Sequence, residues 1–141
     1  MRRSICVLVL LITVLPAYTS AQSSEMQGEW VSMSARTRGI TRIVITRDQD
    51  GYSVEAWGKC HPQDCEWGRT VLNPVGKNVQ DHSIKAGFAV WEPSFASKHL
   101  MLSLDRRMLR VETVTSFRDR SGRASYRIVE YLRRAGEPGD R

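Results

Sequence analysis

The stretch HLMLSLDRRMLRVETVTSF, residues 99–117, decides the fold class of this chain. In its first half Leu100, Leu102 and Leu104 share one face, and residues 99, 101, 103 and 105 share the other. Its second half alternates in the same way, with residues 109, 111, 113, 115 and 117 on one face. Residues 105–107 leave room only for a tight connection. The stretch therefore predicts two neighbouring antiparallel strands, each with one buried face.

Similar short segments recur along the chain, separated by turn signals such as Asp50-Gly51 and Ser121-Gly122. The predicted strands are residues 28–33, 39–47, 51–58, 66–72, 87–92, 99–105, 108–117 and 125–133. Residues 73–85 predict an irregular loop or a short edge strand. Closure removes exposed strand edges, so we expect an all-β fold: an eight-stranded antiparallel up-and-down β-barrel. A two-sheet β-sandwich is the alternative.

The first 21 residues have the three parts of a secretory signal: Arg2 and Arg3, an apolar run at 5–15 and a polar end at 19–21. The apolar run is shorter than the ~20 residues that span a bilayer, which favours a cleaved signal over a membrane anchor. We expect a signal peptide at 1–21, a polar leader at 22–27, a β-barrel domain at 28–134 and a flexible tail at 135–141. The mature chain is then exported, periplasmic or secreted, without a transmembrane segment.

The charge of the chain is modest and evenly spread. Loss of Arg2 and Arg3 lowers the formal net charge from +6 to +4, with 19 basic side chains against 15 acidic ones. A nucleic-acid-binding protein usually concentrates its positive charge on one surface. We therefore expect no nucleic-acid partner.

Two cysteines, Cys60 and Cys65, remain once Cys6 leaves with the signal. An even number of cysteines in an exported chain favours a disulfide. So short a ring stabilises the fold by only about 2 kcal/mol, and its main effect is on local shape. The competing interpretation is a metal site of both thiolates with His61 and Asp64, completed by histidines 82 and 99. Because exported thiols normally oxidise, we expect the disulfide and neither a metal nor a cofactor.

Trp57 and Trp67 flank this ring. Pairing of the third and fourth strands would bring the two indoles together, where they could stack on a sugar or another flat apolar ligand. His61, Gln63 and Asp64 would supply hydrogen bonds at the tip. Alternatively both indoles cover one end of the core and the ring is a rigid lid, which the general burial of large aromatic side chains favours.

Three polar residues lie on faces that the alternation predicts to be buried. Thr113 and Thr115 interrupt the inward face of one strand, and Glu130 shares a face with Tyr126, Ile128 and Leu132. They could anchor a ligand in an interior pocket. Alternatively Glu130 lies near the barrel end, pairs with an arginine such as Arg42 or Arg110, or is turned outward by a β-bulge.

Arg118, Arg120 and Arg123 form a basic rim around the last predicted turn. Such a rim could meet anionic lipid head groups, acidic polysaccharide or a carboxylate ligand. The alternative is a solvated hairpin tip.

Gly28-Glu29-Trp30, at the start of the first strand, resembles the Gly-x-Trp that opens lipocalin, avidin and related calycin barrels. The resemblance implies a meander barrel with a central pocket for a small apolar or amphipathic ligand, and Trp30 as a residue of its floor. Alternatively Trp30 is simply a core aromatic residue.

Two longer segments, WGKCHPQDCEWG at 57–68 and FRDRSGR at 117–123, resemble the signatures of a small domain of exported bacterial proteins that has no assigned activity. The resemblance covers nearly the whole mature chain. It implies a bacterial periplasmic or secreted setting and supplies no mechanism.

Catalytic motifs are weak in this sequence. It has no Gly-x-Ser-x-Gly, its three histidines lie near no marked nucleophile, and nothing near Asp64 and Glu66 would raise the pKa of a carboxyl group. We therefore expect a non-enzymatic binding module that holds a small amphipathic ligand, lipid-like or sugar-like, in or at the end of the barrel. One alternative is an interaction or inhibitor domain that presents the ring at 60–65 to an envelope or extracellular protein. The other is an enzyme.

Overall fold

The computed structural model describes residues 25–137, which form nine antiparallel strands and, within that range, no helix. The strands are β1 (Gly28–Ser32), β2 (Ile40–Asp48), β3 (Gly51–Gly58), β4 (Cys65–Val71), β5 (Asn73–Pro74), β6 (Ala86–Trp91), β7 (Ala96–Asp105), β8 (Met108–Phe117) and β9 (Tyr126–Arg134). In this range no helix is long and apolar enough to cross a membrane. The predicted signal peptide at 1–21, residues 22–24 of the predicted leader and residues 138–141 of the predicted tail lie outside the described residues.

All nine strands belong to one sheet, in the order β4-β3-β2-β1-β9-β8-β7-β6-β5. Strands that follow one another in sequence are neighbours in this sheet, except at β4 and β5, and β1 pairs with β9. This arrangement confirms the predicted all-β, antiparallel, barrel-like fold. The nine strands form one continuous sheet, whereas the alternative, a β-sandwich, would have two.

The expected number of eight strands was wrong by one. The additional strand is β5, whose two residues pair with Phe88 and Gly87 of β6. It lies in the segment that predicted a loop or a short edge strand. Pro74 has no backbone N–H to donate to a ladder, which fits the shortness of this strand.

The barrel is nearly closed, and its seam lies between β4 and β6. In the described part of the chain no backbone ladder joins these two strands. Side chains bridge them instead: the Thr70 hydroxyl donates to the carbonyl oxygen of Val90 at 3.0 Å, and the Trp91 Nε1–H donates to that of Gly68 at 3.0 Å. We call this line of contacts the seam.

The first and last strands are held together at the end of the barrel where Trp30 is buried. Trp30 of β1 is buried, and its Nε1–H donates to the carbonyl oxygen of Met26 at 2.8 Å. The Arg134 guanidinium of β9 lies over the indole, with Cζ 4.4 Å from the ring centroid. The same guanidinium donates to the carbonyl oxygens of Gln27 (2.9 Å) and Glu25. The chain just before β1, predicted as a polar leader, thus packs against this end of the barrel, with Met26 in the core.

The chain beyond β9 also keeps contact with the barrel. The Ala135 N–H donates to the carbonyl oxygen of Glu29 at 2.9 Å, and Arg133 donates to that of Glu137 at 2.6 Å. Residues 135–137 of the predicted tail are therefore bonded to the ends of β1 and β9.

On the outer face, Glu112 of β8 lies between two guanidinium groups. It accepts hydrogen bonds from Arg127 of β9 and, at 2.8 Å, from Arg110 of its own strand. The bond from Arg127 is the main cause and that from Arg110 the second, and together they lower the pKa of Glu112 from its ordinary value of 4.5 to about 2. This carboxylate thus links β8 and β9 most strongly when it is ionised.

We expect Glu112→Gln to lower the thermal midpoint at neutral pH, because the substitution removes the charge that both arginines contact. A carboxyl group whose folded-state pKa lies below its unfolded value stabilises the fold above the unfolded value. The difference between wild type and variant should therefore be full above pH 4.5 and shrink as the pH falls toward about 2. Thermal melts across that range test it. Glu66→Gln, at an exposed glutamate of β4 without an ion pair in residues 25–137, is the control. A difference for Glu112→Gln that does not change with pH would contradict the assignment.

Candidate functional site

A cavity of about 660 Å³ occupies the end of the barrel opposite the Trp30 core. Its volume lies within the roughly 300–1,000 Å³ typical of small-molecule sites. It is bounded by the chain entering β2, the end of β3 and the start of β4 with the disulfide ring, the β6–β7 connection, and the neighbouring halves of β8 and β9. The residues that line the cavity include Gly39, Gly58, Glu66, Trp67, Trp91, Glu92, Phe95, Lys98, Thr113, Thr115, Tyr126, Ile128 and Glu130.

A β-bulge turns Trp67 toward the cavity. The register passes from Ala56 opposite Gly68 to Trp57 opposite Glu66, so Trp67 is the extra residue of β4. Gly68 accommodates this with a φ of +82°. The Trp67 indole then rests on Gly58, where a Cβ would lie only 2.8 Å from its Nε1. The backbone thus leaves a gap in β3 that the indole fills.

Trp67 and Trp91 together form an aromatic wall across the seam. Their ring centroids are 5.8 Å apart and their planes meet at 79°, an edge-to-face contact. The wall joins β4 to β6 at the level where the cavity begins.

Trp57 lies on the outer face, because Ala56 and Gly58 on either side of it face inward. The Arg42 guanidinium covers its ring at 3.6 Å from the centroid. Trp57 and Trp67 therefore do not form the indole pair that their symmetry around the ring suggested, because the bulge sends the two side chains to opposite faces of the sheet.

Cys60 and Cys65 are joined by the predicted disulfide, with their Cα atoms 5.5 Å apart, and both border the cavity. His61, Gln63 and Asp64 are exposed at the tip of the ring and do not line the cavity. Hydrogen bonding to the Thr41 hydroxyl, followed by the bond to Lys59 at 3.3 Å, lowers the pKa of Asp64. The ring thus forms part of the mouth, and its polar tip points to solvent.

Thr113 and Thr115 of β8 are 5% and 1% exposed and line the cavity. Neither hydroxyl has a hydrogen-bond partner within residues 25–137. Leaving a buried hydroxyl without a partner costs about 1–3 kcal/mol. The two threonines are therefore unsatisfied polar groups in the wall of an open space.

Glu130 of β9 also faces the cavity, as the alternation predicted. Its carboxylate accepts hydrogen bonds from the Thr37 hydroxyl at 2.5 Å and from the Ile40 N–H at 2.9 Å. A Cβ at Gly39 would overlap this carboxylate. Neither arginine considered as a partner is used, because Arg42 pairs with Glu29 and Arg110 with Glu112. Glu130 thus fixes the chain entering β2 to β9.

Lys98 and Trp91 are cavity residues that the sequence analysis missed. β7 begins at Ala96 and not at His99, so Lys98 shares the inward face of Leu100 and Leu102. Its Nζ lies 3.8 Å from the centroid of the Trp67 ring, and no carboxylate within residues 25–137 forms an ion pair with it. Burial lowers the pKa of Lys98. Extending the leucine alternation back by one step would have revealed this position.

The three arginines of the predicted basic rim differ in their surroundings. Arg118 donates to Glu92 at 2.7 Å and to the carbonyl oxygens of Pro93 and Ala96, which braces the β6–β7 connection. Arg123 packs over Phe117 and pairs with Asp119. Arg120 has a φ of 57° and makes no ion pair in the described part of the chain. Two of these guanidinium groups thus hold neighbouring loops.

On the outer face of β7, the Ser97 hydroxyl bridges Glu92 and His99. Its Oγ lies 2.9 Å from Glu92 Oε1 and 2.9 Å from His99 Nε2. In a Ser-His-acid triad the histidine lies between the other two, whereas here the serine does, and it is only 7% exposed. Among the described residues no three His, Cys, Asp or Glu side chains are grouped as metal ligands.

No family model, no curated protein and no solved structure matches this chain. The two resemblances noted in the sequence therefore stay predictions.

We expect Thr115→Val to raise the free energy of unfolding by about 1–3 kcal/mol, because a methyl group replaces a buried hydroxyl that has no partner among residues 25–137. Thr113→Val should act in the same direction. Chemical denaturation measures both. Thr70→Val is the matched control, since its hydroxyl bonds to Val90 across the seam and its loss should destabilise the fold. Destabilisation by Thr115→Val as large as that by Thr70→Val would show that the Thr115 hydroxyl is satisfied in the free protein.

Proposed function

We propose that this protein is an exported binding module that holds a small amphipathic molecule in the open end of its barrel. The observation that carries the proposal is the cavity of about 660 Å³, which combines an aromatic wall with buried polar groups that lack partners in the described part of the chain. Protein interiors are normally packed to the density of organic crystals, so a space of this size is unusual unless something occupies it.

The lining explains why the ligand should be amphipathic. Trp67, Trp91 and Ile128 offer apolar surface, whereas Lys98 and the two threonines of β8 offer polar atoms on the neighbouring strands. Ligand sites commonly combine a mainly apolar wall with a few polar groups that fix orientation. A purely apolar molecule would leave the polar groups unsatisfied, and a purely polar one would not use the indoles.

The backbone around the cavity favours binding over accidental incomplete packing. Gly58 makes room for the Trp67 indole, and Gly39 makes room for the Glu130 carboxylate. Both side chains are thereby held against the wall and leave the centre of the barrel end open. Pre-organised walls of this kind lower the entropic cost of binding.

We also propose that the barrel is calycin-like. It is supported by the meander order of the strands and by Trp30, which lies buried at the end of the barrel away from the cavity. A residue in that position serves as a floor beneath a ligand that enters from the other end.

Export is supported by the disulfide between Cys60 and Cys65, because disulfides persist in oxidising compartments. When the full chain is produced in a bacterial host, the protein recovered from the periplasm or medium should begin at Gln22 and carry no free thiol. Intact-mass measurement with and without thiol alkylation tests both points. Recovery of the full-length chain from the cytoplasm alone, with Cys6 retained, would contradict export.

A cavity-filling substitution tests binding. Ile128→Trp adds an indole to the cavity wall from β9, and we expect it to weaken binding of a medium-chain amphiphile by at least about tenfold, since the ligand and the new side chain compete for the same space. Val129→Trp, on the outer face of the same strand, is the matched control and should bind like wild type. Titration by native mass spectrometry measures the affinity, and circular dichroism checks the fold. Equal affinity of the two variants would rule out the cavity as the binding site.

A further inference from the structure

Resting on the binding function proposed above, we infer that the cavity selects amphiphiles with an anionic head group, a carboxylate bound by the Lys98 ammonium together with the hydroxyl groups of the neighbouring strands. Binding of an amphiphile requires the cavity, whereas selection for an anionic head group depends on Lys98 and the residues around it.

Lys98 is a half-buried cation that has an aromatic neighbour and, among the residues that the structure describes, no counter-ion. Its Nζ contacts the face of Trp67, and an ammonium group carries three N–H donors. None of these donors has a hydrogen-bond acceptor within residues 25–137. Burial lowers the pKa of this lysine, so its charge is disfavoured in the free protein. A bound anion would supply the missing partner.

The strand register places Lys98 in a continuous row across the cavity wall. Trp91 of β6 is its partner on one side and Thr115 of β8 its partner on the other. Thr115 in turn pairs with Tyr126 of β9, and all four residues line the cavity. Directly paired side chains on one face have Cβ atoms about 4.5–5.5 Å apart, within reach of one head group. We call this row the belt.

The belt is aromatic on one side of Lys98 and hydroxyl-bearing on the other, and this difference would orient a ligand. Toward the seam it continues into the indoles of Trp91 and Trp67, and toward β9 it continues into the hydroxyl groups of Thr115 and Tyr126. A carboxylate near Nζ can accept from the ammonium and from Thr115. The apolar body then lies against the indoles.

The carboxylates that line the cavity are engaged or remote. Glu92 is bound by Arg118 and by the Ser97 hydroxyl, and Glu130 is bound by Thr37 and the Ile40 N–H. Glu66 is exposed at the mouth. None of the three forms an ion pair with Lys98 in the described part of the chain, so its charge remains available to a ligand.

Three ligands with the same tail and different head groups test the inference: decanoate, decanol and decyltrimethylammonium, titrated by native mass spectrometry and tryptophan fluorescence. Wild type should bind decanoate at least about tenfold more tightly than decanol, and the cationic amphiphile most weakly. Lys98→Met should lose that preference, because its affinity for decanoate should fall far more than its affinity for decanol. Lys98→Arg should retain the preference. Lys77→Met, at an exposed lysine without an ion pair in residues 25–137, is the matched control and should behave like wild type.

The outcomes separate the two proposals. Equal binding of decanoate and decanol by wild type, or a preference that survives Lys98→Met, would overturn the role of Lys98 and leave the binding function standing. Failure of all three ligands to bind would overturn both. Thr115→Val gives a second variant that does not depend on Lys98, and a loss of affinity severalfold larger for decanoate than for decanol would support the belt. An unchanged decanoate affinity would remove Thr115 from the site.

Discussion

The pairing of the first strand with the last is the constraint on which the rest of this structure depends. Three residues of β1 pair with three of β9, and Arg134 covers Trp30 while bonding to the chain before β1. Without this contact the two meanders, β1 to β4 and β5 to β9, would form separate curved sheets. With it, the inward faces of β1–β4 and β6–β9 enclose one interior.

The interior divides into a filled half and an open half because the inward aliphatic residues of three adjacent strands give way to polar ones toward the same end of the barrel, one register step apart from strand to strand. On β7 the inward leucines give way to Lys98, on β8 Val111 gives way to two threonines, and on β9 Leu132 gives way to Glu130. Large aliphatic side chains fill the space around Trp30, and shorter or polar side chains leave the other end empty. The cavity is therefore a property of several neighbouring strands and not of any single residue.

Much of this could be predicted from alternation alone. The inward positions of Thr113, Thr115 and Glu130 follow from the neighbouring leucines and valines, because side chains of a strand alternate between faces. Alternation fails where the register is interrupted: the bulge that turns Trp67 inward has only Gly68 as a local signal. It also fails for contacts between distant segments. The carboxylate of Glu130 is satisfied by the chain at 37–40 and not by an arginine, and which loop lies beside β9 is set by barrel closure.

The seam between β4 and β6 gives the barrel a mechanical asymmetry. Every other neighbouring pair in the sheet is joined by a backbone ladder, whereas within residues 25–137 this line is held by one hydroxyl, one indole N–H and an edge-to-face ring contact. A tube slit along one side resists twisting far less than an intact tube, because its two edges can slide past each other. We expect torsion of this barrel to concentrate at the seam, next to the indoles, so that a small sliding of β4 against β6 changes the bore of the cavity while the Trp30 end keeps its shape.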